Sequence, residues 1–345
     1  MRYRSIILAV TRRLALVALV LGAAAPWSSL VAAQGATNGV PPIGVVTTVG
    51  MVADLVRAVG GPCVRVTNLM GPGIDPHLYR ASAGDVERLG GAELIVYNGF
   101  NLEGQLGAVL GRLGQRTPTL ALAERIGERV AGAGERLLEG EDEYAGQTDP
   151  HLWGAVDLWA VGVEVVVEVL SERRPACTDG FAERGADYAT RLTALHDWVR
   201  ASAASVPEAY RTVVTSHDAF EYFGDAYGFD VAGIEGISTE SEASIADIRE
   251  TAALVLATGV PAIFVETTIS PRTIEAVRAA VLDRGGEVVI GGELFGDAMG
   301  DEGTPEGTYI GMVRHNVSTV VRALGGEAAP WPDELADWAE AWALR

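Results

Sequence analysis

Short Val- and Ile-rich runs alternate with helical patterns in both halves of the chain, and this alternation is the strongest constraint on the fold. The first half contains IGVVTTVG, VRVTNLMG and ELIVYNG, and the second contains RTVVTSHD, PAIFVETT and EVVIGGELFGD. Strands that alternate with helices in this way form parallel sheets with helices on their faces. The sequence therefore predicts an α/β protein with two lobes, each built around a parallel sheet.

A long helical pattern lies between the two sets of strands, at residues 178–205. Tyr188, Leu192, Leu195 and Val199 recur there at helical spacing. A helix of this length extends about 40 Å, which is enough to join two lobes. We therefore expect residues 34–177 to form a first lobe, 178–205 a linking helix and 206–345 a second lobe. The Gly-rich, acidic stretch 130–148 is expected to be a mobile loop.

The N-terminus has the pattern of a secretory signal. Several Arg residues precede an apolar run over residues 14–25, and small residues follow up to Ala33. This pattern predicts a signal peptide over residues 1–33 and a periplasmic or otherwise extracytoplasmic protein. The apolar run is too short to be interpreted as a membrane span. No Cys lies near the expected cleavage site, so we do not expect a lipid anchor.

The chain is strongly acidic, with a formal net charge of −20, and all its basic residues are Arg. A charge of this sign disfavours nucleic acid and anionic membranes as partners, and it favours a cationic ligand. The two Cys residues, Cys63 and Cys177, would meet an oxidising compartment after export. They are therefore expected to form either one disulfide or two buried free thiols.

Two of the five histidines occupy the same tetrapeptide, Asp-Pro-His-Leu, at residues 75–78 and 149–152. In both copies a Pro fixes a turn before the histidine, so His77 and His151 are presented from loops. His217 follows TVVT at the carboxyl end of an expected strand, where ligands collect in open α/β sheets. These three histidines are therefore the best candidates for a binding site.

A carboxylate completes the candidate set. Asp297 follows the strand pattern EVVI in a Gly-rich segment, whose glycines allow tight turns that bring a side chain inward. Three imidazoles and one carboxylate suit Zn²⁺, and a bidentate carboxylate would also suit Mn²⁺ or Fe²⁺. Glu266, at the end of PAIFVE, is interpreted either as an acceptor for a ligand imidazole or as part of a surface ion pair. His196 and His315 lie inside helical patterns and are expected to be structural.

Several segments, in a fixed order, resemble one protein family. They are LMGPGIDPHLYRAS, YNGFNLEG, DPHLW, SHDAFEYFGDAYGF, GISTESEAS, IFVETTIS and GELFGDAMGDEGTPEGTYIGMVRHNVSTVV. This order is similar to that of the zinc and manganese solute-binding proteins of bacterial ABC uptake transporters, the TroA-like or ZnuA-like cluster A-I. In these motifs the family's metal ligands fall on His77, His151, His217 and Asp297.

The resemblance implies a fold with two α/β lobes joined by one long rigid helix, with the metal in the cleft between them. It also implies one transported Zn²⁺ or Mn²⁺ per monomer, a membrane permease as partner, and no catalysis. His217 stands where manganese-selective members more often have Glu, which favours zinc. The lack of a His-rich loop over 130–148 counts against a zinc-only protein. Asn101, where the family often has His, is not expected to be a primary ligand.

Two other functions fit a secreted metal-binding chain. A zinc hydrolase would need an open metal position and a general base, but the His-Glu-x-x-His and Gly-x-Ser-x-Gly motifs are both absent. A metal-stabilised adhesin would gain stability from metal without supporting metal uptake. We therefore expect an extracytoplasmic binding protein that captures Zn²⁺ or Mn²⁺ and delivers it to an ABC permease.

Overall fold

The computed structural model describes residues 39–133, 137–140 and 144–344. The expected signal peptide at residues 1–33 lies outside the described residues. Within them, strands and helices alternate along both halves of the chain, and all the strand pairs are parallel. The predicted α/β fold with parallel sheets is therefore confirmed.

The first half of the chain contains a four-stranded parallel sheet in the spatial order β2-β1-β3-β4. Its strands are β1 (Ile43–Thr47), β2 (Val64–Asn68), β3 (Leu94–Tyr97) and β4 (Thr119–Ala121). The helices of this half are α1 (Gly50–Gly60), α2 (Ala83–Gly90), α3 (Gly107–Leu113), α4 (Leu122–Gly132) and α5 (Val156–Arg173). β1 and β3 are almost fully buried, which explains why they are continuous apolar runs in the sequence.

One long helix, α6 (Thr178–Ala203), leads from the first half to the second. It has 26 residues and therefore extends about 39 Å. Its buried positions recur at helical spacing and include Phe181, Gly185, Tyr188, Leu192, Leu195 and Val199. The helix packs against α1 and α5 of the first half. The predicted long helix is thus confirmed, although it ends at Ala203 rather than at residue 205.

The second half repeats the strand order of the first. β5 (Thr212–His217) pairs in parallel with β6 (Asp230–Glu235), and β7 (Ala262–Glu266) pairs in parallel with β8 (Val289–Leu294). These are two separate two-stranded sheets, and because β5 lies beside β7 the four strands follow the spatial order β6-β5-β7-β8. The helices of this half are α7 (Glu221–Tyr227), α8 (Ile245–Thr258), α9 (Arg272–Asp283), α10 (Tyr309–Ala323) and α11 (Ala336–Ala341).

The two halves share one large hydrophobic core, which includes residues of β1, α6 and α10. A second, smaller apolar cluster lies among the strands and helices of the second half and includes Val214, Ile263 and Val277. All the described residues belong to one compact unit. The lobe boundaries expected from the sequence therefore stay a prediction.

Cys63 and Cys177 form a disulfide, with their Cα atoms 6.5 Å apart. Cys63 ends the turn after α1, and Cys177 directly precedes α6. The bridge therefore ties the start of the long helix to the first half of the chain. Of the two alternatives that the sequence left open, the structure contains the disulfide.

Described residues of the stretch expected to be a mobile loop make hydrogen bonds to one another and to the second half of the chain. Residues 134–136 and 141–143 lie outside the described residues. Glu139 bridges to Thr148 as an isolated antiparallel pair. The Leu138 N–H donates a hydrogen bond to Tyr222 Oη in the second half, at 3.2 Å. This hydrogen bond holds the described part of the stretch against the second half. A backbone N–H that is removed from water needs such a partner, because leaving it unpaired costs free energy.

Candidate metal centre

Four side chains from distant parts of the chain converge on one point. His77, His151, His217 and Asp297 each offer one metal-ligand atom, and these atoms all lie within 4.8 Å of one another. None of the four residues is more than 1% exposed. No second group of this kind occurs in the part of the chain that the structure describes. The structure therefore brings together the four candidates chosen from the sequence.

The parallel sheets explain how these residues meet. His77 lies in the loop after β2, and His151 lies in the loop before α5. His217 is the last residue of β5, and Asp297 follows the carboxyl end of β8. Loops at the carboxyl ends of parallel strands share one edge of a sheet, which accounts for His77, His217 and Asp297, whereas His151 joins them from the segment between α4 and α5. Two ligand candidates thus come from each half of the chain.

Asp297 is the residue of the cluster that lies close to all three histidines. Its Oδ2 is 3.3 Å from His77 Nε2 and 3.2 Å from His217 Nε2, and its Oδ1 is 3.2 Å from His151 Nε2. Two donor atoms that bind one tetrahedral ion, each at about 2.1 Å, are separated by about 3.4 Å. The three spacings between Asp297 and the histidines are therefore close to the edge length of a tetrahedral zinc site.

The ligand atoms lack the hydrogen bonds that buried polar atoms normally make. The three Nε2 atoms and both Asp297 carboxylate oxygens are buried, with each Nε2 3.2–3.3 Å from a carboxylate oxygen, but none of them makes a hydrogen bond of good geometry among the described residues. An unsatisfied buried polar atom costs about 1–3 kcal/mol, and more when it is charged. A cation bound at the centre would satisfy all five atoms at once.

Asp149 orients the His151 ring. Asp149 Oδ1 accepts the His151 N–H at 2.9 Å and lies 2.7 Å from His151 Nδ1. An Nδ1–H that faces a carboxylate leaves Nε2 as the free lone pair for an ion. The Asp of the Asp-Pro-His-Leu tetrapeptide therefore shapes the turn and fixes the ring nitrogen that faces the centre.

Asp75 builds the same turn around His77 but has a different second partner. Its Oδ1 accepts the His77 N–H at 2.9 Å, as Asp149 does for His151. Its Oδ2 instead accepts a hydrogen bond from Thr239 Oγ1 at 2.6 Å, across to the second half of the chain. The duplicated tetrapeptide thus provides one backbone turn in two tertiary settings.

Glu266 supports His217 from the neighbouring strand. Its Oε1 accepts the His217 N–H at 2.9 Å, and its Oε2 lies 2.9 Å from His217 Nδ1. Glu266 is 2% exposed, so it is not part of a surface ion pair. A Cβ atom at Gly296 would lie 2.3 Å from Glu266 Oε2, which explains why the residue before Asp297 is Gly. Of the two interpretations left open for Glu266, its burial and its ion-pair distance to His217 Nδ1 favour the partner of an imidazole.

The charges in the centre shift the pKa values of its members. Burial lowers the pKa of His151, but the Asp149 and Asp297 carboxylates outweigh it and raise the pKa to about 9. Burial also lowers the pKa of His217, and Glu266 and Asp297 raise it well above its usual value. Burial raises the pKa of Asp297, whereas His217 and His151 lower it well below its usual value. Without metal, protons on His151 and His217 balance the charge of Asp297, and a divalent cation would replace those protons.

Trp153 is a contact of the centre to which the sequence assigned no role. Its Nε1–H donates to Gly296 O at 3.0 Å, next to Asp297 in the other half of the chain. Its ring packs edge-on against His151, with the ring centroids 5.3 Å apart. The available signal was the Trp in DPHLW, because a buried Trp packs a large surface and its N–H usually needs a hydrogen-bond partner.

The remaining histidines lie elsewhere. His196 is buried in α6, with its Nδ1 3.1 Å from Tyr227 Oη. His315 Nε2 is 3.0 Å from Glu293 O. Neither residue belongs to the convergent group.

Known proteins resemble this chain over most of its length. The sequence model of the ZnuA family, described as zinc-uptake complex component A, periplasmic, matches residues 45–323. The zinc-binding protein TroA of Treponema pallidum (strain Nichols) is 48% identical over 280 residues, which cover 81% of this chain and 88% of TroA. The manganese-binding lipoprotein MntA of Bacillus subtilis (strain 168) is 41% identical over 282 residues, which cover 81% of this chain and 89% of MntA.

The fold of a solved relative is also similar. The structure of the periplasmic zinc-binding protein TroA from Treponema pallidum aligns with a TM-score of 0.77 at 47% identity, and it covers 82% of this chain and 99% of that one. MntA is named a lipoprotein, which conflicts with our expectation that this chain has no lipid anchor. Residues 1–38, where such an anchor would be attached, lie outside the described residues. No helix in the described ranges has the length and apolar character needed to span a membrane. From these matches in sequence and fold, the chain belongs to the ZnuA family of periplasmic zinc-uptake components.

Proposed function

We propose that this protein is the extracytoplasmic substrate-binding component of an ABC importer, and that it captures one divalent transition-metal ion at His77, His151, His217 and Asp297. The observation that carries the proposal is the set of five buried ligand atoms without hydrogen-bond partners among the described residues. Such atoms are costly unless a cation binds them. Membership of the ZnuA family supports the same function.

The donor set favours binding and release over catalysis. A catalytic zinc ion keeps one coordination position open for water or substrate. Here three imidazoles and one carboxylate provide all four corners of a tetrahedral site, and the site is buried. The comparisons support neither the secreted hydrolase nor the metal-stabilised adhesin.

The proposed cargo is Zn²⁺ or Mn²⁺. TroA is named a zinc-binding protein and MntA a manganese-binding one, and both are more than 40% identical to this chain. Nitrogen-rich sites bind Zn²⁺ more tightly than Mn²⁺. The imidazole of His217 therefore favours zinc, whereas a bidentate Asp297 would accommodate the higher coordination number of manganese.

The proposed setting follows from the family and the charge. An importer's binding component works outside the cytoplasmic membrane and passes its ion to a membrane permease. The net charge of −20 raises the local concentration of cations near the protein. We propose that the protein acts as a monomer, because its four ligands all come from one chain.

Native mass spectrometry of the metal-stripped protein tests the proposal. Zn²⁺ and Mn²⁺ are added separately and in competition, and we expect one tightly bound ion per chain. His151→Ala and Asp297→Ala should lose this ion, whereas His315→Ala should retain it because His315 lies outside the centre. If His151→Ala and Asp297→Ala both bind the ion as tightly as the wild-type protein, the proposed site is refuted.

Transport itself needs a cellular test. In a metal-limited culture, deletion of the gene should reduce uptake of the isotope-labelled metal, and the wild-type gene should restore it. The Asp297→Ala gene should not restore uptake even when the protein is exported at the wild-type level. Normal uptake in the deletion strain would reject the carrier role and favour the adhesin.

A further inference from the structure

A short segment after β6, residues 236–239, connects the neighbourhoods of two metal-ligand candidates, and we name it the clasp segment. At its end, Thr239 Oγ1 donates to Asp75 Oδ2 at 2.6 Å. The other oxygen of Asp75 accepts the His77 N–H at 2.9 Å. Thr239 is 7% exposed and Asp75 is half-buried, so the donor end of this hydrogen bond is removed from water. Thr239 thus acts on the His77 loop through a single carboxylate.

The beginning of the clasp segment lies against the other half of the centre. The Asp218 N–H donates to Gly236 O at 3.3 Å, and Asp218 directly follows His217. The four residues of the clasp segment therefore join a neighbour of His217 to the carboxylate that holds His77. These two histidines come from opposite halves of the chain.

A third contact holds the middle of the clasp segment. Tyr144, in the first half, donates its Oη–H to Ser238 O at 3.2 Å. A Cβ atom at Gly236 would lie 2.2 Å from the Tyr144 ring, so the ring rests directly on the glycine. The first half of the chain therefore holds the clasp segment at two separate points, Asp75 and Tyr144.

We infer that the clasp segment retains the bound metal, and that Thr239 is a positioning residue that slows metal release. The inference rests on the proposed function. In this proposal the ion leaves when His77 moves away from His217 and Asp297, and the same motion would break the Thr239 hydrogen bond to Asp75. Because the acceptor is a carboxylate and the Thr239 end of the bond is buried, this bond is stronger than a typical neutral one. The clasp segment therefore adds to the barrier for release.

The test compares rates of metal release from the full protein. The protein is loaded with Zn²⁺ or Mn²⁺ and mixed with excess chelator in a stopped-flow instrument. Thr239→Val keeps the shape of the side chain and removes the hydroxyl, and we expect release to become about tenfold faster. Thr239→Ser keeps the hydroxyl and should release metal at nearly the wild-type rate. Association should change much less than release.

Thr193→Val is the matched control, because it removes an exposed helix hydroxyl that donates only to Ala189 O. It should leave the release rate unchanged. Tyr144→Phe removes the other hydrogen bond that the first half makes to the clasp segment. It should also make release faster, as Thr239→Val does. It also provides a second test if Thr239→Val folds poorly. Thermal unfolding of the metal-free variants separates a loss of retention from a general loss of stability.

The outcomes separate the two proposals. If the wild-type protein binds no metal tightly, the proposed function fails. If the wild-type protein binds one ion but Thr239→Val and Tyr144→Phe release it at the wild-type rate, only the clasp is overturned. The clasp is also overturned if Thr239→Ser releases metal as fast as Thr239→Val, because the hydroxyl would then have no role.

Discussion

Glu266 holds His217 at two points, with one carboxylate oxygen on the backbone N–H at 2.9 Å and the other 2.9 Å from the ring Nδ1. Because β5 and β7 lie side by side, the carboxylate at the end of one strand reaches the imidazole at the end of the other. The pair fixes both the position of the ring and the nitrogen that faces the centre. Carboxylate partners of this kind also raise the basicity of a ligand imidazole.

Glu266→Gln is therefore expected to weaken metal binding by about 10- to 100-fold while the fold is kept. Loss of the carboxylate also lowers the pKa of His217, so fewer protons compete with the metal at low pH and part of the loss of affinity is offset there. The effect should therefore be largest at high pH. Isothermal titration calorimetry across pH measures this. Glu302→Gln, at an exposed ion pair with Arg57, is the control. An unchanged affinity at pH 9 would rule out this role for Glu266.

Metal affinity should increase with pH through the neutral range. The pKa of His151 is raised to about 9 and that of His217 is raised well above its usual value, so both imidazoles carry protons that the metal must displace. The increase should therefore continue to about pH 9, higher than the value of about 6.5 for an ordinary histidine. Calorimetry in buffers of different ionisation enthalpy should detect proton release at pH 7.5. An affinity that is constant from pH 7 to 9 would contradict the raised pKa values.

The metal-free protein should show the opposite trend in stability. Because the folded state raises the pKa of His151, its contribution to the free energy of unfolding is complete below the unfolded value of about 6.5 and is lost as the pH rises through about 9. The loss is on the order of a few kcal/mol. Thermal unfolding in the presence of chelator measures it. Asp149→Asn should weaken the pH dependence of the free energy of unfolding, because the Asp149 carboxylate raises the pKa of His151 more than any other group does. The control His315→Gln should leave this pH dependence unchanged.

His217→Glu tests which property of the centre selects the metal. A carboxylate in place of an imidazole should shift preference from Zn²⁺ toward Mn²⁺. The new side chain would lie next to the carboxylates of Glu266 and Asp297, so the single variant should bind both metals weakly. The double variant His217→Glu with Glu266→Gln should recover affinity and show the shift. Competition measured by native mass spectrometry decides this, and an unchanged preference in the double variant would refute it.

Loss of the disulfide should affect stability and leave metal binding intact. The bridge between Cys63 and Cys177 spans 114 residues, and its replacement by two Ala residues is expected to cost about 2–5 kcal/mol. Denaturant unfolding of the wild-type and double-Ala proteins measures the cost. Both proteins should bind one metal ion with equal affinity, because neither Cys contacts the centre. Two titratable thiols in the unreduced, denatured wild-type protein would show that the bridge does not form.

The organisation of the chain was readable from local patterns. Runs of Val and Ile predicted buried parallel strands, and the 3.6-residue spacing of apolar positions predicted α6. The Pro-fixed turns located His77 and His151 in loops, and the end of a strand pattern located His217 at the carboxyl end of β5. These signals depend on neighbouring residues alone, so the sequence was sufficient to identify them.

The contacts of the site depend on packing. The tetrapeptide Asp-Pro-His-Leu is identical in both copies, yet Asp149 faces its own histidine ring whereas Asp75 reaches Thr239. Glu266, Trp153 and Thr239 acquired their partners only when elements up to 164 residues apart in sequence came together. Local sequence determined the turns and the residue types. The tertiary structure decided which groups meet, because long-range distances are set by how the two halves pack around one core and not by any short stretch of chain.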